Sequence, residues 1–162
     1  MKVKFAKSVK AGIGAGMAVS ILLLLSFASD STWLMAPFGA SCVLLFSAPA
    51  SPLSQPKNLV FGHVISTFVG LIFAHYFGNA AWVIAVSVAL AIALMVFFDV
   101  VHPPAGADPI VVLLSMPSLS FLVFPVLTGS LALLVVAYVF HHFSRDTDYP
   151  LSTRKYADQI KL

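Results

Sequence analysis

A proline-broken decapeptide, DVVHPPAGAD from Asp99 to Asp108, lies between two long apolar runs and carries two carboxylates and an imidazole. Within lipid such a segment is costly, because freed backbone groups and carboxylates find no water there. Its expected place is the wall of a polar pathway. His102 and Asp108 can exchange a proton, and we expect them to act as a proton-coupling pair. Asp99 and His102 are three apart and would face each other if the preceding helix continued, although Pro103 disfavours helical geometry at His102. A boundary charge beside a capping histidine is an equal reading.

A second segment opens in the same way. Pro37-Phe38-Gly39-Ala40-Ser41 and Pro104-Ala105-Gly106-Ala107-Asp108 share proline, a variable residue, glycine, alanine and a small polar side chain. Each continues through a short apolar run to Ser-x-Pro. A half-helix that starts inside a bilayer turns unpaired N–H groups into a cavity, which suits a small oxyanion. Gly39, Ala40, Ser41, Gly106 and Ala107 are therefore the expected backbone ligands, with the two glycines permitting close approach. The competing reading has Ser41 and Asp108 capping their own helices.

His63 and Thr67 are four apart, with Ser66 and Gly70 alongside, and form one polar stripe in an apolar run. Such a stripe is expected to face a cavity, with His63 adding a donor or positive charge. Lys57, beside Asn58, either attracts anions at a mouth of the path or sets topology. His75, His141, His142, Trp33, Trp82, Tyr76 and Tyr138 fall at expected membrane interfaces.

These groups must be positioned by apolar helices. The 162 residues are 60% hydrophobic and only 9% charged, and Glu is absent. A soluble domain carries about a quarter charged residues, so the chain reads as a multi-pass membrane protein. Runs at 9–28, 59–77, 82–98 and 120–141 are long enough to span, with Pro125 expected to kink the last. Small residues four apart, Gly12/Gly16/Ser20, Gly62/Ser66/Gly70 and Ala85/Ala89/Ala93, are expected to bring helices close.

The expected fold is an all-α integral membrane bundle of four full helices and two broken segments. It forms a helix–broken segment–helix unit used twice, at about 9–77 and 82–142, within one domain at 1–143. If the short segments cross, the repeats are inverted; if they re-enter, the repeats are parallel. Lys57 favours the inverted form. Residues 144–162 read as a short solvated or membrane-surface cytoplasmic tail. Lysines before the first run and basic residues after the last predict both termini in the cytoplasm of a bacterial inner membrane.

The motif His102-Pro103-Pro104-Ala105-Gly106-Ala107-Asp108 resembles the signature of the HPP family of small integral membrane proteins. Ala36-Pro37-Phe38-Gly39-Ala40-Ser41 and Pro52-Leu53-Ser54-Gln55-Pro56-Lys57-Asn58, leading to Gly62-His63, extend the resemblance over roughly 33–133 in matching order. The resemblance implies four transmembrane helices and, from members in plastids and cyanobacteria, an association with nitrite transport.

Enzyme chemistry is not expected. There is no strained nucleophile turn, phosphate loop or HExxH motif, Cys42 is the single cysteine, and Ser41 has no base that sequence alone identifies. No cofactor, metal or nucleic acid is expected. The expected partners are the bilayer and a small inorganic anion, nitrite first, with homo-oligomerisation open. A channel, a non-transporting scaffold and a membrane enzyme acting through His102 and Asp108 are the rival readings.

Overall fold

Lipid accepts apolar side chains on every face of a helix, so chain breaks rather than amphipathicity set the element boundaries here. The computed structural model describes residues 1–144, 148–152 and 155. Helix α1, Lys2–Ser29, begins seven residues before the expected run, because nothing between Lys2 and Val9 breaks a helix. It ends at Asp30, whose N–H bonds Ser26 O and whose left-handed φ of 49° turns the Ser31 N–H onto the same carbonyl at 3.3 Å.

Helix α2, Ala36–Ser47, follows an extended Met35 and has Pro37 in its first turn, where a missing N–H costs nothing. A 3₁₀ turn at Pro52–Ser54 leads into α3, Pro56–Phe77, which again starts on proline. Gly78 then reverses the chain with φ 73° into α4, Ala81–Phe97. The proline pair winds Pro103–Ala107 into a 3₁₀ turn that runs straight into α5, Asp108–Ser115. The kink expected at Pro125 is present and is a full break in the last apolar stretch. A 3₁₀ turn at Leu119–Leu122 and a widened turn at Val123–Leu127 precede α6, Thr128–Ser144, and the break falls on Phe124 beside Pro125.

Among the described residues three stretches are long and apolar enough to cross a membrane: Lys2–Ser29, Pro56–Phe77 and Leu119–Ser144. At 17 residues α4 rises only about 25 Å, against a hydrocarbon core of about 30 Å. Helix α3 is the central strut. It packs against α4, α5, α6 and both 3₁₀ turns that flank the broken segments.

Contacts recur at a fixed spacing along the chain. A Cβ placed on Gly62 would meet Val100 O at 3.2 Å, Ala105 at 3.6 Å and the His102 side chain. One placed on Gly129 would meet Trp33 O at 3.0 Å and the Phe38 ring. Gly62 and Gly129, Trp33 and Val100, and Phe38 and Ala105 are each 67 positions apart. A glycine of α3 thus lies against the turn that leads into α5, and a glycine of α6 against the start of α2. Gly62→Ala and Gly129→Ala are expected to lose about 1–3 kcal/mol through overpacking, read as a lowered unfolding midpoint in detergent. Gly39→Ala and Gly106→Ala, which meet nothing within 4 Å, should leave it unchanged.

Only one of the three small-residue stripes packs as expected. Gly62, Ser66 and Gly70 are buried, whereas Gly12, Gly16 and Ser20 on α1 and Ala85, Ala89 and Ala93 on α4 face outward. Helix α1 instead buries Gly14, Ala18 and Leu22, and α4 buries Val83, Ser87, Ala91 and Met95. The tail also departs from a solvated segment. Tyr149 is buried and its hydroxyl donates to Ser54 O at 3.0 Å, while Leu151 N–H donates to the Gln55 amide oxygen at 2.8 Å. The rest of that tail, 145–147, 153–154 and 156–162, lies outside the described residues.

Candidate functional site

Pro37 and Pro104 start their segments on facing sides of a groove of about 640 Å³. Its lining consists of five pairs, Ala36 with Pro103, Pro37 with Pro104, Ala40 with Ala107, Val43 with Ile110, and Leu44 with Val111. Every pair is again 67 positions apart. The groove is apolar. The next pair, Ser41 and Asp108, is buried and turns inward to α3.

There four polar side chains form one continuous hydrogen-bonded chain. Asp108 Oδ2 lies 2.8 Å from His63 Nδ1, His63 Nε2 lies 2.8 Å from Ser41 Oγ, and Ser41 Oγ lies 2.9 Å from His102 Nε2. All four are essentially without solvent exposure. Thr67, one turn beyond His63 on α3, donates its hydroxyl to Asp108 Oδ2 at 3.2 Å, and Ser66 donates to Ala105 O at 2.6 Å. His102 Nδ1 lies 2.8 Å from Leu53 O, in the first half's 3₁₀ turn. Ser41 Oγ also lies 3.3 Å from Pro37 O, one turn back on α2.

The hydrogen-bond directions restrict the protons. A carbonyl only accepts, so His102 Nδ1 carries a proton and donates to Leu53 O. With His102 neutral, its Nε2 accepts from the Ser41 hydroxyl. Ser41 then accepts from His63 Nε2–H, and one proton lies between His63 Nδ1 and Asp108. If instead Ser41 donates to His63, then His63 Nδ1–H donates to the Asp108 carboxylate and His102 is the imidazolium. One concerted step of three protons converts the first arrangement, with Asp108 protonated, into the second. A proton equivalent thereby passes from Asp108 on α5, through α3 and α2, to His102. Asp108 Oδ1 is buried and has no partner among the described residues, which leaves an acceptor for a further proton donor.

The expected backbone ligands take a different part. Phe38 N–H is spent on Met35 O at 3.0 Å, and helix geometry commits the N–H groups of Gly39, Ala40 and Ser41 to carbonyls one turn back. Ala105 N–H bonds His102 O at 2.9 Å and Asp108 N–H bonds Ala105 O, so Gly106 and Ala107 sit within a closed 3₁₀ turn. Gly39 and Ala40 are exposed, Ala40 on the wall of the groove, while Gly106 and Ala107 are partly exposed. The amides thus support the fold, and side chains supply the polar centre. Asp99 is not in it. It is exposed in a left-handed turn with φ 53°, while the His102 ring turns to Ser41 and Leu53.

Of the neighbouring pair, Lys57 is exposed in the first turn of α3, whereas Asn58 is buried and donates to Val101 O at 2.9 Å, tying α3 to the signature loop. Ser41 was expected to have no base, yet two imidazoles meet its hydroxyl. Both approach from 22 and 61 residues away, a distance that local spacing does not reveal. His141, expected at an interface, is buried and bonds Leu45 O at 2.8 Å through Nε2. No group of three or more His, Cys, Asp or Glu with metal-ligand geometry occurs among the described residues.

The family described as "HPP, transmembrane region" matches residues 1–150, which takes in both broken segments and the whole polar centre. The chain belongs to the HPP transmembrane family. Two proteins of Dictyostelium discoideum, each named only as a transmembrane protein, are 37% identical to it. One matches over 130 residues, 75% of this chain and 42% of the relative; the other matches over 126 residues, 73% and 44%. The chain spans less than half the length of these curated relatives. No solved structure matches it. Membership in this HPP family and the long apolar helices establish a multi-pass, membrane-embedded protein.

Proposed function

We propose that this HPP protein carries a small inorganic anion, nitrite first, across a bacterial inner membrane together with a proton. The observation that carries the reading is the buried Asp108–His63–Ser41–His102 chain, which joins both broken segments through α3. An ion in an apolar groove without a fixed counter-charge is very costly, and the chain's members include no Lys or Arg. A proton delivered beside the groove removes that cost, because the anion of a weak acid then crosses as its neutral conjugate acid. The proton-coupling role is thus shared among Asp108, His63, Ser41 and His102, and Asp99 drops out.

In this reading the two halves are inverted units, α1–α3 and α4–α6, and both termini are cytoplasmic. The recurring 67-residue spacing supports the duplication. A carrier is favoured over an open channel, because the groove and the polar chain are separate layers that a moving proton must connect. The test is uptake into proteoliposomes under an imposed pH gradient. Nitrite and formate are expected to enter well above protein-free liposomes, and nitrate and chloride, which stay ionised, are not. Uptake indifferent to the protein would overturn the reading.

A second reading has a specific observation in its favour. Ser41, His63 and Asp108 stand in the order and spacing of a serine hydrolase triad. Against it, Ser41 Oγ is sealed between two imidazoles, and a nucleophile must meet a carbonyl carbon. Covalent labelling of Ser41 by a fluorophosphonate would favour the hydrolase.

A further inference from the structure

Three successive carbonyls of the 3₁₀ turn between α2 and α3 accept from three different parts of the chain. Pro52 O accepts from Gln55 N–H at 3.1 Å, Leu53 O from His102 Nδ1–H at 2.8 Å, and Ser54 O from the Tyr149 hydroxyl at 3.0 Å. The first bond closes the turn, the second ends the polar chain, and the third comes from the segment that follows α6.

Gln55 uses both ends of its amide. Its nitrogen donates to Pro49 O and Ser51 O, each at 2.9 Å, and its oxygen accepts from Leu151 N–H at 2.8 Å. Ser54, Gln55 and Tyr149 are all buried, and the Tyr149 ring packs against that of His141 with 5.3 Å between centroids. The C-terminal segment is therefore anchored one and two residues beyond the carbonyl that holds His102. The position 67 residues before Tyr149 is Trp82, exposed at the start of α4, and the position 67 before His102 is Met35. The duplicated fold thus carries this anchor at one end only, beside the terminal imidazole of the polar chain.

A carbonyl holds the Nδ1 proton of His102 but cannot carry it away. A proton leaves the chain at this end only when Nδ1–H parts from Leu53 O and meets water. Water then takes that proton, the electron pair of the broken N–H bond stays on Nδ1, and the imidazolium becomes a neutral ring protonated at Nε2. We propose that residues 149–151 are a latch on this step. Docked, they hold Leu53 O over His102; released, they let the turn move aside and water reach Nδ1. One tyrosine hydroxyl and one amide fasten them to the turn, a hold weak enough to open without unfolding the bundle. Tyr149 and Gln55 are then positioning residues that act through Leu53. The latch takes its purpose from the proton-coupled reading above, but its opening is measured with no anion present.

Solvent exchange of the His102 Nδ1 proton, followed by NMR of the full chain labelled in its imidazole nitrogens, tests it. Tyr149→Phe keeps the packed ring and loses the bond to Ser54 O, so exchange should quicken on the order of fivefold, the worth of one hydrogen bond. Tyr149→Ala should quicken it further. The unfolding midpoint of Tyr149→Phe and its amide exchange within α3 should match the wild type. Exchange at His102 unchanged in both variants would overturn the latch, as would an equal quickening throughout α3, which is general loosening. Quickened exchange at His102 alone, beside nitrite uptake indifferent to the protein, would overturn the carrier and uphold the latch.

Discussion

Asp108→Asn is expected to abolish uptake driven by a pH gradient, a loss of a hundredfold or more, while the protein stays folded. The amide keeps the shape of the side chain and a hydrogen bond for Thr67 or His63, so packing beneath α5 is retained. It cannot take up or release a proton, and the hydrogen-bonded chain loses its terminal group. His63 would then lack the partner that lets its two nitrogens exchange roles. Size-exclusion elution and an unfolding midpoint near wild type, beside lost uptake in the same preparation, would establish the effect. Unchanged coupling in Asp108→Asn would remove Asp108 from the relay.

Ser41→Ala has the second largest expected effect, because a single hydroxyl joins the two imidazoles. Its removal leaves His63 Nε2 and His102 Nε2 facing a methyl group, at a cost of about 1–3 kcal/mol for a buried unsatisfied group. The chain is cut in the middle, and uptake should fall at least tenfold, whereas Ser41→Thr, which keeps the hydroxyl, should recover part of it. Isotope-detected NMR of the imidazole nitrogens gives a readout that lost packing does not mimic. In the wild type a switch of the His63 tautomer should accompany protonation of His102, and in Ser41→Ala the two should be independent. Unaltered uptake in Ser41→Ala would show that protons do not pass between the halves at this point.

Much of this centre was legible in the chain. Prolines at 37 and 104 sit where a half-helix starts, and the shared Pro-x-Gly-Ala pattern marked two related segments. The His63/Thr67 pair showed which face of α3 turns to the polar interior, since a helix brings residues four apart onto one side. What stayed hidden depends on long-range geometry. Spacing alone gave Ser41 no partners, because His63 and His102 reach it from other elements. Spacing left Asp99 open as a partner for His102, and the left-handed turn after α4 takes it away.

The small-residue stripes were ambiguous for a different reason. In lipid an apolar helix has no solvent-facing side, so Gly12/Gly16 and Ala85/Ala89 read the same as Gly62/Gly70, although only the last pair is buried. The amides expected as ligands are engaged within their own segments, because α2 takes in Gly39, Ala40 and Ser41 and the second break is a 3₁₀ turn. It closes its own N–H groups on carbonyls that an ordinary helix start would leave unreached.

Recording nitrite and proton movement together in the same proteoliposomes tests the shared passage of anion and proton most directly. The account predicts that each nitrite entering brings one proton, at a ratio that holds as the nitrite gradient is varied. Nitrite entering with no accompanying proton would contradict it.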